Sequence, residues 1–263
     1  MLFIFDMDGV LWRGNEPVPH AASAVAALRR AGHTIRFLTN NSARTRGKFV
    51  TKLALMGIPT TEDEVATSSS ACALYFVAQG WKGISVYVVG RDGIREELTR
   101  VARCTLVEDD SEHADAVVVG IDWDFTYEKM RVAQQHVLRG AHFLCTNRDP
   151  TFPVEGGRVV PGAGALVAAV EAATGRTPFN IGKPNAYSVH LLAEMTGTPL
   201  DQTIVVGDRL DTDIDAGLAA GARTLLVMTG VTTPGELEDL PRDRQPELVL
   251  PDLSHLPADW TAV

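Results

Sequence analysis

Short, strongly apolar runs alternate along this chain with longer segments of helical periodicity, and that alternation restricts the fold more than any other property. The runs are LFIF (2–5), TIRFL (34–38), ISVYVV (84–89), AVVV (116–119), AHFLC (141–145), TIVV (203–206) and RTLLVM (223–228). Strands apolar on both faces must be covered on both, and parallel neighbours need a crossover long enough to hold a helix. Helices are predicted between them at 20–31, 43–56, 68–79, 92–102, 127–139, 162–173, 185–196 and 212–220. Several close on a glycine, among them Gly32, Gly57, Gly140, Gly175 and Gly221, where a left-handed residue ends a helix at little cost. The fold class that follows is α/β with a parallel sheet.

A chain of 263 residues has room for a full core and a second, smaller module. No repeat or low-complexity linker marks a boundary. Polar residues at strand ends do: they occur early and after about residue 180, whereas 80–179 holds complete β-α units without them. The expected division is therefore a core of 1–79 and 180–263 and an inserted α/β cap of 80–179.

The first of those strand ends is Asp6-Met7-Asp8-Gly9, directly after LFIF. Open α/β sheets carry functional groups at the carboxyl ends of their strands, and Gly9 permits a tight turn that brings backbone N–H groups toward an anion. An ordinary Asp-Gly turn would look the same. Gly207-Asp208-Arg209-Leu210-Asp211-Thr212-Asp213 follows TIVV in the same way. A helix start explains Asp211 and Asp215 through the macrodipole, but not a carboxylate at Asp208 closing a buried strand, which is costly unless a cation or donor meets it. Asp6 and Asp208 with a backbone carbonyl form an oxygen set suited to Mg2+.

Leu38-Thr39-Asn40-Asn41-Ser42 and Ile181-Gly182-Lys183-Pro184 complete the set. Thr39 and Asn40 offer a hydroxyl and an amide for phosphoryl oxygens, while Asn41 or Ser42 could instead cap the next helix. Lys183 could be a solvated charge, or could balance Asp6, Asp213 and a bound phosphate.

In order and spacing, DMDGV, LTNNS, GKPN and GDRLDTD resemble the motifs of the haloacid dehalogenase phosphatases, and the resemblance runs from end to end. It implies a Rossmann-like core in which Asp6 is the nucleophile, Asp8 the general acid and later base, and Thr39 and Lys183 the phosphoryl-positioning pair. Asp213 would hold Lys183 or a metal-bound water, and Asp6, Asp8 and Asp208 would make up the Mg2+ site. The insertion, with TNRD and PGAGAL, resembles the class IIA cap of the NagD-like and para-nitrophenyl phosphatase group. The expected reaction is Mg2+-dependent hydrolysis of small-molecule phosphate monoesters through an aspartyl-phosphate. A phosphotransferase or phosphomutase would use the same intermediate, and a non-catalytic sugar-phosphate sensor would have no need of the full set. Asn147, Arg148 and Asp149, at the start of a Pro/Gly-containing loop running to Gly164, are candidates for contact with the leaving group, though a solvated turn fits them too. The resemblance also leaves room for a homodimer.

Other classes fit poorly. A net charge of −9 argues against a broad nucleic-acid surface. Cys72, Cys104 and Cys145 include no CxxC pair, and no run reaches the roughly 18 apolar residues of a membrane span, so a cytoplasmic protein is expected. Gly182-Lys183-Pro184 lacks the upstream glycine of a P-loop, and Gly162-Ala163-Gly164 has Val167 where a dinucleotide fingerprint has its third glycine.

Overall fold

The computed structural model describes residues 1–154 and 158–256, and the chain divides into two compact units. The first comprises Met1–Thr39, Phe49–Ala66 and Lys183–Val263, and the second Asn40–Lys48 and Thr67–Gly182. Among the described residues no helix is long and apolar enough to cross a membrane.

The first unit holds a six-stranded sheet in the order Leu248–Leu250, Arg223–Val227, Thr203–Gly207, Leu2–Phe5, Thr34–Thr39, Val65–Thr67. Each pairing from Leu248–Leu250 to Thr34–Thr39 is parallel. Leu2–Phe5 is central and fully buried, as its unbroken apolar sequence requires. Alternate residues serve opposite faces. Phe3, Phe5, Phe37, Val206 and Leu225 pack with Val25, Leu28, Phe49 and Leu53 on one side. Leu2, Ile4, Leu38 and Val205 pack with Val189, Leu192, Ala216 and Ala220 on the other. Fully burying each such side chain contributes about 1.5–3 kcal/mol, enough to fix the register on which the site depends.

That register sets Phe5 beside both Val206 and Phe37, so Asp6, Asp208 and Thr39 leave the sheet at nearly the same level. The Asp6 N–H extends the ladder one step by donating to the Val206 carbonyl at 2.8 Å.

The second unit has its own parallel sheet, ordered Phe179–Asn180, His142–Cys145, Ala116–Val119, Ser85–Val89, Thr105–Val107. Val117, Val119, Val132, Ala133, Val137, Val167 and Val170 form its core with helices Tyr127–Leu138 and Ala163–Thr174. Segments 40–48 and 67–79 group with this unit, whereas the sequence put them in the core. The reason is local bonding: Ser68 Oγ and Asn147 Nδ2 both donate to the Asn40 carbonyl, at 2.7 and 2.8 Å, and Ser69 Oγ donates to the Ser42 carbonyl at 3.0 Å. Tyr75 stacks on Phe179 with centroids 4.9 Å apart.

The expected loop from Pro150 to Gly164 is replaced by an antiparallel pair, Thr151–Val154 with Arg158–Pro161; residues 155–157 of that loop lie outside the described residues. The helix expected over 212–220 opens with a wide turn of π type, Leu210–Ile214, before the α-helix Asp215–Ala220.

Candidate active site

Past Asp6 the chain makes a turn in which the Met7 carbonyl accepts from the Leu11 N–H at 2.8 Å and the Gly9 N–H donates to the Trp12 carbonyl at 2.7 Å. Gly9 takes a φ of 85°, and a Cβ there would run into the Asp208 carboxylate. The turn returns Trp12 to Asp8, and the indole N–H donates to Asp8 Oδ1 at 2.7 Å.

Lys183 lies in the first unit, in the loop before helix Tyr187–Thr196, and its peptide bond to Pro184 is cis. It was expected at the tip of a core strand. The short strand before it, Phe179–Asn180, belongs instead to the second sheet. Its Nζ donates to Asp6 Oδ1 and Asp213 Oδ1, both at 2.5 Å, and to the Leu38 carbonyl at 3.3 Å, which uses all three ammonium protons. Burial works against the Lys183 charge, but Asp213 and Asp6 more than offset it, so the ammonium is held above its usual range. Burial likewise pushes the Asp6 carboxyl well above the usual carboxylate range, with Lys183 opposing the shift and Asp213 and Asp208 adding to it.

Asp208 is 1% exposed. Its Oδ2 accepts the Val231 N–H at 2.8 Å, while Oδ1, equally buried, has no hydrogen-bond partner among the described residues. Burial and the nearby Asp213 raise its pKa to about 7, against the pull of the Val231 N–H. Carboxylate oxygens of Asp6, Asp208 and Asp213 lie within 4.8 Å of one another. Three carboxylates around one ammonium, with an orphaned buried oxygen, form an acceptor-only set that a hard cation fits and that no protein donor completes. Asp6 and Asp208 of the expected set are in this cluster; Asp213 joins it, and the carboxylate of Asp8 is turned to Trp12 instead.

Thr39 ends its strand 4% exposed, one residue after the carbonyl that Lys183 bonds. Asn40, Asn147, Arg148 and Asp149 lie in the second unit. There Asn40 Nδ2 donates to Asp149 Oδ2 at 3.1 Å, the Asp149 N–H donates to Asn147 Oδ1 at 3.1 Å, and Arg148 pairs with Glu171 at 2.6 Å. The Asn41 side chain accepts the Ala43 N–H at 3.0 Å in a local turn, not at a helix cap.

Two further parts of the site come from outside the expected set of site residues. Trp12 is fully buried, with Lys52 Nζ 4.2 Å from its ring centroid. Thr229-Gly230-Val231 closes over the acids: Thr229 Oγ1 donates to the Gly9 carbonyl at 2.7 Å, Arg13 donates to the Thr229 carbonyl, and a Cβ on Gly230 would overlap Asp208. A Thr-Gly pair directly after the apolar run 223–228 was the available signal.

Residues 3–102 match the haloacid dehalogenase-like hydrolase family, and residues 180–256 match its HAD-hydrolase-like companion. The chain is 40% identical over 237 residues to a 5'-nucleotidase, YutF, of Bacillus subtilis strain 168, covering 90% of each chain. NagD from E. coli K-12 superposes with a TM-score of 0.88 at 31% identity, covering 97% of this chain and 98% of that one. A glycerol phosphate phosphatase from Mycobacterium tuberculosis, solved with magnesium, gives 0.89 at 30% identity, covering 96% of this chain and 75% of the other. With the same fold and this degree of identity, the chain belongs to the haloacid dehalogenase-like hydrolases, in their NagD-like group, and is a phosphoric monoester hydrolase.

Proposed function

We propose that this phosphatase hydrolyses small-molecule phosphate monoesters with Mg2+ as its cofactor and an aspartyl-phosphate on Asp6 as its intermediate. The observation that carries the reading is the Asp6–Lys183–Asp213 chain beside the unpartnered Oδ1 of Asp208. A carboxylate approaching a phosphate dianion at about 4 Å meets roughly 4 kcal/mol of repulsion per unit charge at an intermediate dielectric, so positive charge must be supplied at the site. Lys183 supplies one such charge next to the attacking oxygen. Asp6 and Asp208, with Asp213 beside them and a backbone carbonyl from the Asp8 turn, would hold Mg2+, which when bound neutralises phosphoryl oxygens and orients the ester.

In the first half-reaction a carboxylate oxygen of Asp6 bonds to phosphorus as the ester P–O bond breaks, and the carboxyl proton of Asp8 goes to the departing oxygen. Thr39 donates its hydroxyl to a phosphoryl oxygen. In the second half-reaction water attacks phosphorus, Asp8 takes its proton, and the Asp6–phosphorus bond breaks to return the carboxylate and release inorganic phosphate. Nucleoside 5'-monophosphates and glycerol phosphate are the first esters to assay, because enzymes similar to this chain are named for them.

Rapid acid quench of enzyme mixed with substrate, followed by peptide mass spectrometry, tests the intermediate. The expected result is one phosphoryl group on the peptide carrying Asp6 and none in Asp6→Asn. Equal molar release of alcohol and inorganic phosphate separates hydrolysis from transfer to a second alcohol.

A further inference from the structure

We infer that Trp12 is a positioning residue that decides which oxygen of Asp8 exchanges a proton with the leaving group. The inference rests on the reading of Asp8 as the acid and base. The indole nitrogen is a donor only, and it reaches Asp8 Oδ1 at 2.7 Å. An oxygen that accepts this bond cannot point its own proton along it. In the acid form of Asp8 the carbonyl oxygen is the better acceptor, so the bond favours Oδ1 as the carbonyl oxygen and the proton on Oδ2. The same bond fixes the plane of the carboxyl group, so Oδ2 is presented in one orientation in both half-reactions.

The donor is itself held from three sides. Trp12 is fully buried in the first unit's core with Met7, Val10 and Leu11, so the ring has no room to swing. Its carbonyl accepts the Gly9 N–H at 2.7 Å, which ties its backbone to the Asp8 turn. Lys52 Nζ sits over the ring at 4.2 Å from the centroid and is anchored to the Gly14 carbonyl at 2.8 Å. A cation over the ring face draws electron density from the indole and sharpens its N–H as a donor.

Leaving groups provide the test. Nitrophenolate departs without a proton, whereas an alkoxide needs one, so a misdirected acid harms alkyl esters more. In Trp12→Phe, kcat/KM, which covers only the steps through departure of the leaving group, is expected to fall at least ~10-fold further on glycerol phosphate than on p-nitrophenyl phosphate, out of the 10²–10⁴-fold that a general acid typically contributes. A purely structural role for Trp12 would lower both in proportion, and that outcome overturns the inference. Placing 3-benzothienylalanine at position 12, which replaces the indole N–H by sulfur at nearly constant shape, gives the same comparison should Trp12→Phe fold poorly. Asp8→Asn run in parallel separates the two claims. If Asp8→Asn loses no selectivity between the esters, the role of Asp8 fails; if Asp8→Asn loses it and neither Trp12 replacement does, the inference about Trp12 alone fails.

Discussion

The Asp213 carboxylate and the Lys183 ammonium meet at 2.5 Å with side chains 1% and 3% exposed, so each takes the place of the water the other has lost. Lys183 keeps Asp6 and the Leu38 carbonyl if Asp213 is removed. The stability cost of Asp213→Ala should therefore stay below the roughly 3–5 kcal/mol of a fully orphaned buried charge. Catalysis should suffer more, because the ammonium is then drawn onto Asp6, the proposed nucleophile, with nothing opposing it. The expected loss in kcat is about a hundredfold, read beside a urea melt of the same variant. Unchanged kcat would leave Asp213 a purely structural partner.

Asp6→Asn keeps the volume of the side chain and removes one of three crowded carboxylates. The melting temperature is expected to hold within a few degrees, while kcat falls by about four orders of magnitude or more, as it does when a nucleophile is deleted from a catalytic unit. A variant that turns over at the wild-type rate would remove Asp6 from the scheme.

Chelation by EDTA should stop turnover, and Mg2+ should restore it and raise the melting temperature of the metal-free enzyme. The pH dependence of that rise follows from Asp208, whose pKa of about 7 lies above its ordinary 3.8. Between those values the metal-free folded state keeps a proton that the unfolded chain gives up, so its stability declines as pH rises toward 7. Mg2+ requires the ionised carboxylate, so its stabilising effect should be larger at pH 8 than at pH 5, and absent at both in Asp208→Asn. A Mg2+ effect that is the same at both pH values would contradict the assignment of Asp208 as the ligand.

His136 provides a second titration in a different unit. Its ring is buried, with Nε2 3.1 Å from the Asp109 carbonyl, and burial holds its pKa below the ordinary 6.5. The unfolded chain then takes up a proton more readily than the folded one as pH falls below about 6.5, so stability is full above that value and is lost on acidification. In His136→Gln, which keeps a donor, the fall in melting temperature between about pH 7 and pH 5 should be shallower. An equal slope would point to other groups.

The sheet strands that carry the site were legible because each is an unbroken apolar run between polar turns, as LFIF and TIVV show. Leu248–Leu250, Val65–Thr67 and Thr105–Val107 were not, since three residues are too few for any period to register against neighbouring loops. The carboxylates and Lys183 could be read from residue type and position after strands. Lys183 reaches its partners from a loop, however, and a loop's path is set by what it bonds to rather than by a hydrophobic pattern. From its place just past the Asp6–Gly9 loop, Trp12 could pack under that loop or touch substrate; its bond to Asp8 depends on the Gly9 turn closing, which spacing does not reveal. Residues 67–79 looked like core because their helix has the same character as its neighbours. The hydroxyls of Ser68 and Ser69, which reach the chain at Asn40 and Ser42, and Tyr75, which stacks on Phe179, join the segment to the other unit.

At Gly9 and Gly230 a methyl group would intrude on Asp208, and at Gly207 on Asp213. A saturation scan scored by phosphate release should thus register these three positions as severely as the acids themselves, although none of them carries a functional group. Activity lost through alanine at 9, 207 or 230 would be the signature of a carboxylate displaced by a neighbour, recoverable only by restoring hydrogen as the side chain.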